Sequence, residues 1–278
     1  MKKPKITCDI CGSSDCVYYG KMLIKCKQCQ LVRANEIYSS DKLVSLYQHD
    51  YYFGNEYNNY INDRPALEKN FIERINYLKK KKYLHKESSV VEIGSAYGFF
   101  LNLMKDECRS IMGYDVTKEG VKYAKKKFKV NAICGDFLKY TGEKVSLICM
   151  WDVVEHLSSP REFIKKISYS LTKNGKLILT TGDVGSFLAK VQGSSWRMIH
   201  PPTHLFYFDK ITIEKLLNRY DLQIIDIRYK PVYRNLGSVV KQVFKLKPNK
   251  LISDINLDKY NFGLNLFDIM EVTAVKTN

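Results

Sequence analysis

Val90-Val91-Glu92-Ile93-Gly94-Ser95-Ala96-Tyr97-Gly98 is an apolar run that ends in a glycine-spaced turn. It reads as a buried strand entering a tight loop, followed by a helix from Phe99 to about Lys105. An α/β sheet presents backbone N–H groups to a nucleotide-like ligand in this way. The spacing decides which ligand. A dinucleotide fingerprint needs Gly-x-Gly-x-x-Gly, and the third and sixth places here hold Ala96 and Phe99. The pattern present is Glu-x-Gly-x-x-x-Gly. A glycine after a strand is most often only a turn, so the segments downstream must decide.

Ser110 to Asp115 reads as a second strand with a carboxylate at its C-terminal end. Asp115 lies 21 residues after Gly94, where a doubly wound fold places the acid that takes ribose hydroxyls. Asn131 to Phe137 follows as a third strand, ending in Gly135-Asp136. Val145 to Met150 is a fourth, running into Trp151-Asp152-Val153-Val154-Glu155-His156-Leu157 and a helix opened by Pro160. Lys173-Asn174-Gly175 is a turn before the fifth strand, Lys176 to Thr181. The helix Lys210 to Asn218 and two strands, Leu222 to Arg228 and Ile269 to Lys276, complete the pattern. Each piece taken singly could be a surface acid or a helix cap. In this order, with helix-length gaps, they make an alternating α/β fold.

The eight cysteines are not spread like a disulfide framework. Cys8-x-x-Cys11 and Cys26-x-x-Cys29 are two knuckles separated by 14 residues. Together they can supply a tetrahedral four-sulfur site that suits zinc, and four sulfurs leave no open position for substrate. The competing readings are free thiols or rubredoxin-like iron. Cys16 is out of phase with both knuckles, and Cys108, Cys134 and Cys149 read as thiols on or beside strands. The 278 residues hold 45% hydrophobic side chains, ample for a core, and no apolar run approaches a membrane span. Met1-Lys2-Lys3-Pro4-Lys5 has no apolar segment after it, so the expectation is a cytoplasmic enzyme without a signal peptide.

The whole length resembles the class I S-adenosylmethionine-dependent methyltransferases of the type called methyltransferase domain 23, carrying an N-terminal zinc ribbon. The resemblance rests on the ribbon, the aromatic box Asp50-Tyr51-Tyr52-Phe53, the Glu92–Gly98 motif and the Trp151–Leu157 segment. It continues through Gly182-Asp183-Val184-Gly185-Ser186 and His200-Pro201-Pro202-Thr203-His204-Leu205-Phe206-Tyr207-Phe208. It implies a Rossmann-like seven-stranded sheet with helices on both faces, plus the small ribbon. The expected divisions are a ribbon at 1–34, an aromatic linker and helix at 35–84, and a catalytic domain at 85–278 with an acceptor-side insertion at about 183–208. Glu92, Gly94, Ser95, Gly98, Asp115, Asp136, Phe137, Trp151 and Asp152 are the expected cofactor residues. In the family, an acid at the place of Asp136 bonds the adenine amino group and the next side chain packs on the ring. Ala96 is a departure, since many relatives have glycine there, but a small residue still permits close approach. Relatives often sit among genes for polysaccharide or secondary-metabolite assembly, which implies a sugar, nucleotide sugar or related small-molecule acceptor.

Methyl transfer is an in-line displacement at a sulfonium carbon, and the protein contributes alignment and exclusion of water. A hydroxyl acceptor also needs a base with a pKa near neutrality. His156, after the fourth strand, and His204, in the insertion, are the candidates among five histidines. Each has a plainer reading: His156 as a loop or cap residue beside Glu155, His204 as packing between Pro202 and Phe206. In some relatives the Glu-His pair helps bind a divalent metal. Trp196 and Arg197 could face the acceptor or merely anchor their loop. The net charge of +16 admits a nucleic-acid partner, and RNA or protein methylation stays open. Against nucleobase methylation, the Asn/Asp-Pro-Pro-Tyr/Phe signature of base-amino enzymes is absent after the fourth strand. A non-catalytic zinc-ribbon scaffold is the remaining alternative, and retention of the cofactor motif argues against it.

Overall fold

The computed structural model describes residues 6–46, 60–237, 239–240 and 260–278. The aromatic box at 50–53 and Tyr47 and Tyr57 of the linker lie outside the described residues.

The cysteine knuckles open the fold. Strands β1 (Cys16–Tyr19), β2 (Leu23–Cys26) and β3 (Val32–Ala34) form an antiparallel meander. Each knuckle closes with the same turn: Gly12 N–H donates to Cys8 O and Gln30 N–H to Cys26 O, with Gly12 and Gln30 at φ of 76° and 72°. That left-handed closure turns both thiols of a pair to one side. Helix α1 (Ser40–Leu46) follows, and α2 (Arg64–Lys80) begins with Pro65 in its first turn, where a missing N–H loses nothing. The α2 spacing works as the sequence suggests, with Phe71, Ile75 and Leu78 buried.

The alternating part then runs β4 (Ser89–Ile93), α3 (Phe99–Met104), β5 (Ser110–Asp115), α4 (Lys118–Phe128), β6 (Ala132–Cys134) and β7 (Val145–Trp151). Next come α5 (Pro160–Ser170), β8 (Leu171–Gly182), α6 (Phe187–Gln192), β9 (Phe206–Tyr207) and α7 (Lys210–Asn218). Strands β10 (Leu222–Arg228), β11 (Val232–Asn235), β12 (Asn261–Leu264) and β13 (Ile269–Lys276) close the chain. The expected turn at Lys173–Gly175 falls inside β8, where Asn174 has φ 61° and the register against β7 slips.

The seven-stranded sheet has the order β10-β13-β8-β7-β4-β5-β6, with β13 antiparallel to both neighbours and the rest of the central ladders parallel. Order reverses between β4 and β7, so the crevice above their C-terminal ends is where an open α/β sheet takes a ligand. Alternation along the strands gives two cores. Val90, Leu147, Cys149, Trp151 and Ile178 face α2, α3 and α4, while Val91, Ile148, Met150, Leu177 and Leu179 face α5 and α7.

The ribbon is joined to this body through its own sheet. β9 pairs with β3, giving the order β1-β2-β3-β9, so the fourth ribbon strand comes from the 183–208 segment. Ile10, Ile24 and Leu31 of the ribbon share a core with Leu205, Phe206 and Leu216. Arg219 donates to Ile10 O at 2.5 Å, and Arg33 reaches back to Asp9 at 3.0 Å. Among the described residues no helix is long and apolar enough to cross a membrane.

Candidate active site

The glycine turn after β4 is forced by its surroundings. Gly94 has φ 78°, and a Cβ there would stand 2.4 Å from a Val153 methyl; a Cβ on Gly98, at φ 76°, would stand 2.6 Å from that of Ala124. Neither place admits a side chain without backbone movement. Sequence reading expected the turn's amides to be offered to a ligand, and the structure differs. Gly94 and Ser95 N–H donate to Tyr114 O at 2.8 and 3.1 Å, Ala96 N–H to Asp115 Oδ2 at 2.7 Å and Gly98 N–H to Ser95 O at 2.8 Å. The end of β5 pins the turn and uses those donors, because a buried N–H without a partner is expensive.

Side chains around the turn remain for the ligand. Glu92 is 2% exposed, and its Oε2 has no hydrogen-bond partner; nor has Ser95 Oγ or the Trp151 indole N–H. Burial first, then the Asp115 charge, pushes the Glu92 carboxyl well above its ordinary range. Three unsatisfied buried polar atoms, an acceptor, a hydroxyl and a donor, thus lie on residues in or near one glycine turn. Asp115 is also buried and raised by burial, an effect opposed by its hydrogen bonds. Its Oδ1 accepts from Thr117 N–H at 2.8 Å and Oγ1 at 2.5 Å. Oδ2 accepts from Ala96 N–H.

Asp136 caps the following 3-10 turn, its Oδ1 accepting from Leu138 N–H at 2.9 Å. Phe137 is 1% exposed, stacked on Tyr140 at 5.3 Å and edge-on to Tyr114 at 5.6 Å. Its ring is therefore occupied by the core, where the sequence reading had it facing adenine. Asp152 follows β7 in an exposed left-handed conformation, φ 55°, held by its N–H on Thr180 O and Oγ1. A non-glycine residue in that region at a strand end is a local strain of the kind found where function needs an exact side-chain placement.

Beside this strand end stands a histidine cluster. His156 and His204 rings meet edge-on at 4.5 Å, and His200 lies 3.8 Å from His204. His156 Nδ1 faces Thr203 O at 2.8 Å and His204 Nδ1 faces Met198 O at 2.8 Å. A carbonyl can only accept, so Nδ1 carries the proton in both rings and Nε2 is the basic nitrogen. Burial lowers both pKa values, that of His156 to about 4. Ligand atoms of Glu155, His156 and His204 lie within 4.8 Å of one another, a set that could hold a divalent cation. Backbone carbonyls that fix the far nitrogens are the usual support of metal-binding imidazoles. Sequence reading reached His156 and His204 singly; their meeting depends on β9 folding back, with Leu205 N–H on Glu155 O at 2.8 Å.

Trp196 and Arg197 anchor the insertion. The indole N–H donates to Asp268 Oδ2 at 2.9 Å, and the guanidinium grips both Asp268 oxygens at 2.8 and 2.9 Å. In the ribbon, the Cys8, Cys11, Cys26 and Cys29 sulfurs lie within 4.8 Å of one another, with Cys16 outside the group. The closest pairs are 3.3 and 3.5 Å apart. Tetrahedral zinc with ~2.3 Å bonds sets sulfurs about 3.8 Å apart, so small outward shifts would seat the ion.

A parallel sheet with one antiparallel strand, a glycine turn after its first strand and an acid after its second defines the class I methyltransferase fold. The chain belongs to the methyltransferase domain family, whose sequence profile matches residues 62–227. Solved structures agree on the fold. The YcgJ protein of Bacillus subtilis is similar at a TM-score of 0.52 and 14% identity, over 73% of this chain and 98% of that one. A magnesium protoporphyrin IX methyltransferase from Synechocystis PCC 6803 with bound S-adenosylhomocysteine gives 0.53 and 14%, over 78% and 86%. No curated protein sequence matches the chain.

Proposed function

We propose that this enzyme moves the methyl group of S-adenosylmethionine onto a hydroxyl of a sugar, nucleotide sugar or related small molecule. The observation that carries the cofactor reading is the trio of unsatisfied buried atoms, Glu92 Oε2, Ser95 Oγ and Trp151 Nε1, around Gly94. When bound, the cofactor supplies an electrophilic methyl carbon on a sulfonium. Glu92 would compensate the methionine ammonium, and Asp115 would accept a ribose hydroxyl. Asp136, half-exposed after β6, would accept from the adenine amino group. Gly94 and Gly98 let the turn pack closely against Val153 and Ala124 and so hold its shape. Asp152 would hold the acceptor at the end of β7, and His156 or His204 would take the hydroxyl proton at Nε2. Burial keeps both rings neutral but also makes them weaker bases than a free imidazole, and a dry site favours a reaction that neutralises charge.

The same histidines favour a second reading of the proton step. With Glu155 they would hold a divalent cation, which lowers the pKa of a bound hydroxyl. The four cysteines would hold a structural zinc. Cofactor binding is tested by calorimetry with S-adenosylhomocysteine. Asp115→Ala is expected to weaken it by about tenfold or more, the loss of a charge-assisted hydrogen-bond pair; unchanged affinity removes Asp115 from the site. Turnover of sugar acceptors by His156→Ala and His204→Ala decides the base, and normal rates in both would exclude the pair.

A further inference from the structure

The edge of the sheet continues past the reaction site into a second cavity. Trp151 pairs with Thr180, Thr180 with Glu271, and Glu271 with Arg228, so these four side chains form one row across β7, β8, β13 and β10. Directly paired residues project to the same side, here the α2 side. Beyond Trp151 the row becomes the wall of a cavity of about 630 Å³ between α2 and strands β10, β11 and β13.

That cavity is cationic. Arg74, Lys80, Lys81, Arg228 and Lys230 line it, against the carboxylates of Glu73 and Glu271. The lysines are exposed, whereas the Arg74 and Arg228 side chains are only 13% and 15% exposed. Both arginines lean on the single carboxylate of Glu271. Each guanidinium also lies over a ring, Arg74 over Trp151 at 4.4 Å and Arg228 over Tyr77 at 3.0 Å. Stacking on a ring face holds each planar cation in place and consumes none of its N–H donors. Two guanidiniums bring about ten N–H donors to one carboxylate with about four acceptor sites. Arg228 Nε is buried with no hydrogen-bond partner. Excess donors at a sheltered, net-positive wall are what recognition of a multiply charged oxyanion requires.

We propose that this cavity receives the phosphate or diphosphate of a sugar-phosphate acceptor, an assignment that rests on the methyltransferase function proposed above. The scale fits. Arg228 stands two strands from Thr180, about 10 Å at ordinary strand spacing. A phosphate held between Arg228 and Arg74 leaves its sugar above Thr180, whose oxygens already position the Asp152 amide. The acceptor hydroxyl then faces the end of β7. Recognition of the charged group thus fixes which ring carbon can be methylated.

The test is calorimetry on the full chain saturated with S-adenosylhomocysteine, titrated with inorganic pyrophosphate and with uridine diphosphate. Both are expected to bind, more weakly as salt is raised. Arg228→Met should lose about tenfold or more in affinity for both, the cost of one charge-assisted contact, with S-adenosylhomocysteine affinity retained. The triple variant Lys80→Met/Lys81→Met/Lys230→Met alters only exposed side chains and should lose several-fold, which keeps the test alive if Arg228→Met does not fold. Tighter binding of the nucleoside form identifies a nucleotide-linked sugar. Equal binding identifies the diphosphate alone, as in a lipid-linked sugar. If pyrophosphate does not bind, or binds wild type and both variants alike, the cavity assignment falls while the cofactor site stands. If S-adenosylhomocysteine itself does not bind the wild type, the enzymatic reading falls and takes this one with it.

Discussion

At the scale of single residues, the glycine turn and the carboxylate behind it give the sharpest tests. Gly94→Ala meets both a left-handed backbone, which costs a non-glycine residue about 1–2 kcal/mol, and Val153 at 2.4 Å. The variant is expected to melt lower and to bind S-adenosylhomocysteine at least about tenfold more weakly, read by thermal denaturation and calorimetry. Glu92 acts through pH. Its folded-state pKa is raised well above 4.5, so the folded protein holds that proton more tightly than the unfolded chain does. Stability of the cofactor-free protein should therefore fall as pH climbs from about 4.5 through the raised value. Glu92→Gln should flatten that fall, melting with wild type near pH 4 and above it at pH 8, while losing cofactor affinity. A wild-type profile in Glu92→Gln would show that the carboxyl carries no such burden. Glu92, Gly94, Gly98 and Asp115 could be read from spacing because a strand, a turn and a strand end are local patterns. The role of Phe137 could not, since whether a ring faces a ligand or Tyr140 depends on packing that sequence distance does not encode.

At the scale of elements, the strand that matters most is the shortest. β9 spans two residues, yet it completes the ribbon sheet on one side and is followed, through Phe208, by a bridge to Asp183 on the other. Leu205, immediately before it, closes onto Glu155, and His204 sits one residue earlier. The four-cysteine cluster and the proposed base are thus tied by a single short segment. Replacing Cys29 by Ala, or stripping metal with a chelator, should free β1, β2 and β3 and with them β9. Hydrogen exchange at Phe206 and Tyr207 is expected to rise, and acceptor turnover to fall, while S-adenosylhomocysteine affinity stays near wild type. Protection of β9 unchanged by metal loss would show that the ribbon does not support the histidine cluster. The strands β4, β5, β7, β10 and β13 and helix α7 were legible in the sequence because their apolar alternation or capping is self-contained. β9, flanked by Leu205 and Phe208, lies in an irregular stretch with no period to read, so the convergence of His156, His200 and His204 was hidden although each residue was in view.

At the scale of the whole molecule, a net charge of +16 surrounds a carboxylate-lined crevice and a neighbouring cavity that is itself basic. Such a field raises encounter rates with anionic acceptors, and salt removes the advantage once the screening length drops to about 8 Å at physiological strength. Turnover at low acceptor concentration should fall several-fold between low and high salt, with turnover at saturation little changed. Arg74 and Arg228 were not legible as a pair, since they lie on α2 and β10 and meet only at Glu271 of β13. The joining of β3 to β9 has one more consequence, for how the chain is made. Ala34 leaves the ribosome well before Phe206, so the nascent ribbon exists for much of synthesis with an unpaired edge. Four thiolates gathered on an ion would guard that edge until its late partner arrives. Metal supply during translation would then govern how much of the chain reaches its native pairing, and expression in zinc-depleted medium should lower the yield of folded protein.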